Sequence, residues 1–257
     1  MRRFLPAVAL AFLLTGTAAH AATSVCHGGA TSEDFRYSWR MRGGLSWVAG
    51  FIFPTSGVGE LKTSFTAGRI DSSLLMTAPG GQGAFYAYES TMDDAGKTLT
   101  TYHGYAWKNK SRKERTVFDY AHRLARIHKE TPDKQWDSVD PLPPDTLRDI
   151  LTAIYYLRQN ADSIRGPVPA TIYSDGDAYA VVFRPGERRL FNLDGKNVPA
   201  VGLEIVDAPG GRKWPGGVKV WVSDDARRIP FRIEIQQSMA SMQLELTTIE
   251  GCGFMGR

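Results

Sequence analysis

Recognisable catalytic motifs are missing from this sequence. It has no G-x-S-x-G elbow, no H-E-x-x-H helix, no Walker loop and no G-x-G-x-x-G turn. Histidine is sparse. His20 sits in the first 21 residues, leaving His27, His103, His122 and His128. On a single strand His122 and His128 would share a face yet stand about 20 Å apart at ~3.3 Å per residue, too far to share a metal that needs three or four convergent ligands. No metal and no cofactor is expected. The acid pairs Asp93-Asp94, Asp137 with Asp140, and Asp224-Asp225 read as turn formers or as neighbours pointing to opposite faces, not as two carboxylates facing across a cleft. A triad need not be local in sequence, but nothing here asks for one, and the expectation is a protein that is not an enzyme.

Long apolar runs are confined to the start. Arg2 and Arg3 precede an apolar core, Leu5 to Leu14, too short to span a bilayer comfortably, and Ala19-His20-Ala21 is a small-x-small cleavage site. Residues 1–21 are read as a secretory signal peptide and 22–257 as a single domain in the periplasm, with no transmembrane segment after cleavage. Val25 before Cys26 does not suit a lipobox. Charge of one sign is lacking too: without Arg2 and Arg3 the formal net charge falls from +4 to +2. No basic run accompanies a nucleic-acid motif, so no nucleic-acid partner is expected. Lys108 to Arg115, KNKSRKER, reads as a solvated hairpin tip; its functional alternative is a basic patch facing anionic lipid. Only two cysteines occur, Cys26 and Cys252, near opposite ends of the mature chain. An oxidising compartment favours a disulfide between them, clasping first and last segments; the C-x-x-C spacing of a redox or metal pair is absent.

Strand patterns are what the sequence has in abundance. Phe35, Tyr37, Trp39 and Met41 alternate with Arg36, Ser38 and Arg40. Leu45 to Phe53 carries large apolar residues at both parities, as a strand buried on both faces does. Further strands are expected over Gly57–Phe65, Ile70–Thr77, Ala84–Ser90, Thr98–Trp107, Thr116–Tyr120, Ala170–Tyr173, Ala178–Phe183, Leu190–Leu193, Ala200–Val206, Val218–Val222, Pro230–Ile235 and Met242–Ile249, with Thr131–Pro144 as a linker. In the late hairpin the pattern pairs Val218 with Ile235, Val220 with Ile233 and Val222 with Phe231. On the other face Lys219 meets Glu234 and Trp221 meets Arg232.

One amphipathic helix stands among these strands. In Pro143 to Arg158, PPDTLRDILTAIYYLR, residues Leu147, Ile150, Leu151, Ile154, Tyr155 and Arg158 share a face, and Asp145 is the expected N-cap. So many short strands must curl or close. The expected fold is mainly β: a curled antiparallel half-open β-barrel with one main α-helix in or over the concave face.

Two stretches resemble a known family. The helix ending Tyr155-Tyr156-Leu157-Arg158 is similar to that family's Tyr-x-Leu/Phe-Arg helix, and VKVWVSDDARRIPFRIEI, Val218 to Ile235, is similar to its late hairpin. The family is the periplasmic domain of unknown function 3108, and the likeness covers Pro141 to about Glu250. It implies a half-open barrel like the lipoprotein carriers LolA and LolB, and so raises lipid or lipoprotein binding by analogy. The Cys26/Cys252 pair departs from the family pattern and resembles the clasp of another envelope-integrity family.

Three functional readings stay open. The first is non-enzymatic binding of a lipid, acyl chain or lipoprotein in support of the cell envelope. The second is a scaffold for an envelope protein or polysaccharide partner, and the third an unrecognised hydrolase. For the first, Trp39, Trp47, Phe51, Phe53, Tyr102, Tyr155 and Trp221 are the expected cavity walls, because large aromatics on strands can line a cavity while their polar tips reach water.

Overall fold

The computed structural model describes residues 32–43, 54–80, 83–193, 195–236 and 241–250. The expected signal peptide, Cys26, Cys252, Trp47, Phe51 and Phe53 lie outside the described residues. Period-two alternation builds the first strand, β1 (Ser32–Arg42), in which Glu33, Phe35, Tyr37 and Trp39 are buried and Arg36, Ser38 and Arg40 are exposed. The chain then meanders through β2 (Ser56–Thr66), β3 (Arg69–Thr77), β4 (Ala84–Met92), β5 (Thr98–Trp107), β6 (Lys110–Asp119), β7 (Leu124–Glu130) and β8 (Gln135–Pro141). After the short β9 (Leu147–Arg148) and the helix α1 (Ile150–Gln159), it runs through β10 (Val168–Ser174), β11 (Asp177–Leu193), β12 (Lys196–Asp207), β13 (Gly217–Ser223), β14 (Pro230–Gln236) and β15 (Ser241–Glu250).

All of these strands form one sheet, in the order β8-β7-β6-β5-β4-β3-β2-β1-β15-β14-β13-β12-β11-β10-β9. The first and last strands lie side by side at its centre, and only β9–β10 is parallel. The sheet curls until its flanks meet. Phe118, Ala125 and Ile127 of β6 and β7 pack with Leu147 and Tyr173 of β9 and β10, and the Phe118 and Tyr173 rings stand edge to face at 4.9 Å. The curl is thus closed by side chains rather than by a hydrogen-bonded ladder. This is the mainly-β curled sheet with one helix that the pattern predicts.

The helix fills the concave side, where Leu151, Ala153, Ile154 and Leu157 join the core formed by Phe35, Tyr37, Leu74 and Ile233. It starts later than expected. Asp149, not Asp145, is the N-cap: its carboxylate accepts from the Thr152 amide at 2.9 Å, and the Thr152 hydroxyl accepts from the Asp149 amide at 2.8 Å. Leu147 and Arg148 are drawn into a strand because they pair with Thr171 and Ile172, and Asp145 instead accepts from the Thr171 hydroxyl at 3.3 Å. Two other segments are corrected. Only Lys108 and Asn109 turn; Lys110 to Arg115 is already strand β6, and the expected 131–144 linker contains β8.

The late hairpin keeps the expected register through Trp221 and Arg232, whose guanidinium lies 5.7 Å from the indole centroid. Past that point a bulge pairs Val222 with Pro230 rather than Phe231. Lys219 faces Glu234 but bonds Glu204 of β12 at 2.9 Å.

Two contacts fasten the inside. Arg158, at the end of α1, bonds the fully buried Glu33 of β1 at 3.0 Å and donates Nε to the Arg228 carbonyl at 3.0 Å. Trp39 reaches across β2 to donate its indole N–H to the Thr77 carbonyl of β3 at 2.8 Å. Its neighbour on β2 is Gly57, where a Cβ would fall 1.9 Å from that carbonyl oxygen and 2.7 Å from the indole nitrogen. Only glycine leaves the path open. Gly57→Ala is expected to cost about 1–3 kcal/mol through overpacking, read as a lowered urea midpoint. Arg158→Leu is expected to cost about 3–5 kcal/mol because it strands the buried Glu33 charge, and the Glu33→Leu/Arg158→Leu double variant should recover part of that loss.

An aromatic mouth opposite the helix terminus

Antiparallel order sorts the loops to two ends. At one end lie the C-terminus of α1, the β2–β3 and β4–β5 turns, and the start of β1. Tyr155 belongs there: it packs with Ile70 and Met92, its ring lies 6.4 Å from Phe65, and its hydroxyl accepts from Gln159 at 2.9 Å. The helix plugs this end, and a surface hollow of about 550 Å³ lined by Phe65, Ile70, Tyr155 and Gln159 lies beside it.

The opposite end gathers the ends of β1, β5 and β10 and the starts of β4, β6 and β13. Cross-strand register puts Tyr86 opposite Tyr105 and Tyr88 opposite His103. Alternation therefore sends all four side chains to the concave face. The His103 ring stacks on Tyr88 at 4.5 Å and Tyr86 stacks on Tyr88 at 6.2 Å. Behind them Phe85 stacks on Trp39 at 5.8 Å and meets Tyr105 and Trp107 edge-on at 6.1 and 5.9 Å. From the far flank comes Trp214, positioned by its amide N–H to Asp207 at 2.9 Å. Between these walls lies a cavity of about 320 Å³, lined by Tyr86, Tyr88, Tyr105, Trp214, Ile150 and Ile235, with His103, Arg112 and Asp175 as its charged or titratable members.

The polar members form a chain across the seam. Buried Glu114 holds Arg112 at 2.9 Å and Lys129 at 3.1 Å. Arg112 also reaches Asp175, in the β10–β11 turn, at 3.6 Å, and His103 Nδ1 lies 3.8 Å from the same carboxylate. Burial holds the His103 imidazole below its ordinary pKa, with Asp175 and Glu114 pulling the other way and Arg112 reinforcing the burial. His103 Nε2 is buried without a hydrogen-bond partner.

The seven expected wall residues are thus divided. Trp39 lies under the mouth and Tyr155 at the plugged end. Tyr102 and Trp221 have the parity of the outer face, where Tyr102 opposes Glu89 and Arg115, and Trp221 opposes Arg232 beneath the Arg189 guanidinium, 5.0 Å from its ring. Those four do not wall one cavity, because strand alternation puts Tyr102 and Trp221 outside while Trp39 and Tyr155 lie toward opposite ends. The mouth residues left out of that set carried a signal, since Tyr86-x-Tyr88 and His103-x-Tyr105 alternate within their strands. That the two pairs face each other depends on the β4–β5 register.

The sequence profile of a protein of unknown function, DUF3108, matches residues 60–247. The chain belongs to that family. The match begins in β2, well before the Pro141 start of the resemblance noted in the sequence. Among solved structures, this DUF3108 protein is similar to a β-barrel-like protein of domain of unknown function DUF1849 from Brucella abortus. That match has a TM-score of 0.52 and 10% identity, and covers 86% of this chain and 98% of the other. Looser matches are the hypothetical lipoprotein YmcC from Escherichia coli (TM-score 0.31, 10% identity, 84% and 86% covered) and the lipoprotein LppX from Mycobacterium tuberculosis (0.29, 11%, 87% and 88%). At such identities the likeness speaks for the fold alone, and the two looser superpositions carry no argument. No curated protein matches the chain. Among the described residues no helix is long and apolar enough to cross a membrane.

A pH dependence follows from His103. Its folded pKa lies below the unfolded value near 6.5, so the unfolded chain binds more protons between the two. Stability is expected to fall as pH drops from 7.5 to 5. His103→Phe keeps the ring stacked but removes the titration, and its melting temperature should vary less over that range. Equal slopes for the two proteins would contradict this account.

Proposed function

We propose that this protein is an exported, non-enzymatic binder of an acyl chain or lipid, acting in the bacterial envelope, with the aromatic mouth as its site. The observation that carries the reading is the cavity itself. A volume of about 320 Å³ lies at the lower end of the range of small-molecule sites. Its walls are tyrosines and Trp214, and its charged groups gather at the seam. An amphipathic ligand would meet the rings of Tyr86, Tyr105 and Trp214 with Ile150 and Ile235 along its chain, and Arg112, His103 and Asp175 at its polar end. Trp39 supports the wall from below.

Burying each CH₂ of such a chain contributes up to ~0.8 kcal/mol, so a partly buried chain reaches micromolar affinity, about −8.2 kcal/mol, after ordering costs. Titrating a fluorescent fatty acid into the mature protein should give saturable binding in that range. Tyr105→Asp, which places a charge in the mouth, should weaken binding at least tenfold. If neither a fatty acid nor a phospholipid binds saturably, the carrier reading fails.

Export and a Cys26–Cys252 bond belong to the same reading. The signal sequence supports export. The bond is supported by the pairing of the first described strand with the last, in which Asp34 faces Glu250. Cys26 precedes the start of the first by six residues, and Cys252 follows the end of the last by two. Protein isolated from the periplasm is expected to show no free thiol by mass after alkylation, and two after reduction.

A further inference from the structure

The mouth occupies the concave side, but the outer face of the β1–β8 half carries a second organised surface. Register sets its residues directly opposite one another: Lys62 faces Ser73, Ser73 faces Glu89, Glu89 faces Tyr102, Tyr102 faces Arg115, and Arg115 faces His128. Six consecutive strands therefore present one transverse row, about 24 Å long measured along the curled sheet at ~4.8 Å per strand. A groove of about 580 Å³ runs over its first five members.

Its chemistry is unlike that of the mouth. Tyr102 and Leu75 are the large apolar side chains along it, and the remainder of the lining is hydroxyl-rich, including Ser64, Ser73 and Thr100, with charges of both signs. The Tyr102 ring leans along its strand over Gly104. A Cβ there would meet the phenol oxygen at 2.7 Å and two ring carbons at 3.0 Å, so the bare glycine lets the ring settle low in the groove. The Arg115 guanidinium sits 5.7 Å from the ring centroid. At the β1 end, Asp34 Oδ1 is buried without a hydrogen-bond partner, although the other oxygen of that carboxylate pairs with Lys62 at 3.4 Å.

The geometry points to a binding site for an oligosaccharide chain that runs across the strands, with one sugar ring stacked on Tyr102 and hydroxyls shared among Glu89, Ser73 and Arg115. The spacing between strands is close to the length of one hexose unit, so successive sugars meet successive strands. A nucleic-acid strand would need a positive excess, and the balanced charges do not provide it. A stable protein interface would need a dry apolar centre, and a lipid would need continuous apolar walls. The groove provides neither. The site is independent of the mouth.

The test is calorimetric titration of the mature protein with the N-acetylglucosamine tetramer, cellotetraose and maltotetraose. Saturable binding of at least one at millimolar affinity or tighter, about −4.1 kcal/mol or more, is expected. Tyr102→Phe should retain that binding, and Tyr102→Ala should weaken it at least tenfold while melting at the wild-type temperature. Glu89→Gln provides a second variant, with a several-fold loss expected, should Tyr102→Ala fold poorly. Tyr105→Asp, in the mouth, should leave it unchanged. Absence of saturable binding to all three sugars overturns the proposal, as does equal binding by folded Tyr102→Ala and Glu89→Gln. Capture of a protein partner through an intact Tyr102 without sugar binding would do the same.

Discussion

The buried ion pair between Glu33 and Arg158 is the contact on which the rest of the architecture depends. One partner opens the central strand β1, and the other ends the helix that occupies the concavity. Two opposite charges in a dry interior are costly apart and tolerable together, so the pair allows one seating of α1 and penalises others. The Arg228 carbonyl, accepting from Arg158 Nε, extends this fastening to the β13–β14 turn. With the helix C-terminus fixed, its N-terminus falls beside β4 and β5. There Asp149, Thr152, Ser90 and Thr98 form a closed hydrogen-bonded group, with Thr98 and Thr152 hydroxyls 2.8 Å apart. Burial raises the Asp149 carboxyl pKa, while the Ser90 and Thr152 bonds oppose the shift.

Seating the helix at one end determines what remains at the other. At the plugged end Tyr155, Phe65 and Met92 pack together beside a surface hollow, whereas the mouth gathers tyrosines and charged groups around its volume. The flanks meet through Phe118, Tyr173 and the Glu114–Arg112–Asp175 chain, none of it a backbone ladder. A seam of side chains opens at lower cost than a strand pair. His103, stacked on Tyr88 beside Asp175, ties this seam to pH.

Much of the fold was legible in the residues. Alternation in Phe35-x-Tyr37-x-Trp39 and in the late hairpin named strands and their buried faces, and the spacing Leu151, Ile154, Tyr155, Arg158 named the helix. The errors have physical causes. Leu147 fits both periods, and a partner in β10 decided for strand. Pro230 lacks an N–H to complete the ladder, and the bulge beside it shifted Val222 by one position. Among the expected wall residues, aromatic character was a poor guide. It says a ring is large, not which face of a curled sheet it takes or which end of the barrel it occupies.

What the sequence determined by itself is local: the periods of two and 3.6, the turn residues, the basic-apolar pattern of the first 21 residues, and the scarcity of metal-ligating and nucleophilic motifs. These follow from backbone geometry and composition, and need no partner. What the tertiary structure decided is every relation between distant segments. Arg158 reads as one more amphipathic residue until Glu33, 125 residues away, is brought to 3.0 Å. Tyr102 and His103 are neighbours in sequence, yet one faces a polar outer groove and the other an aromatic mouth. The pleat separates them, and only the register of β4, β5 and β6 supplies the residues each of them meets.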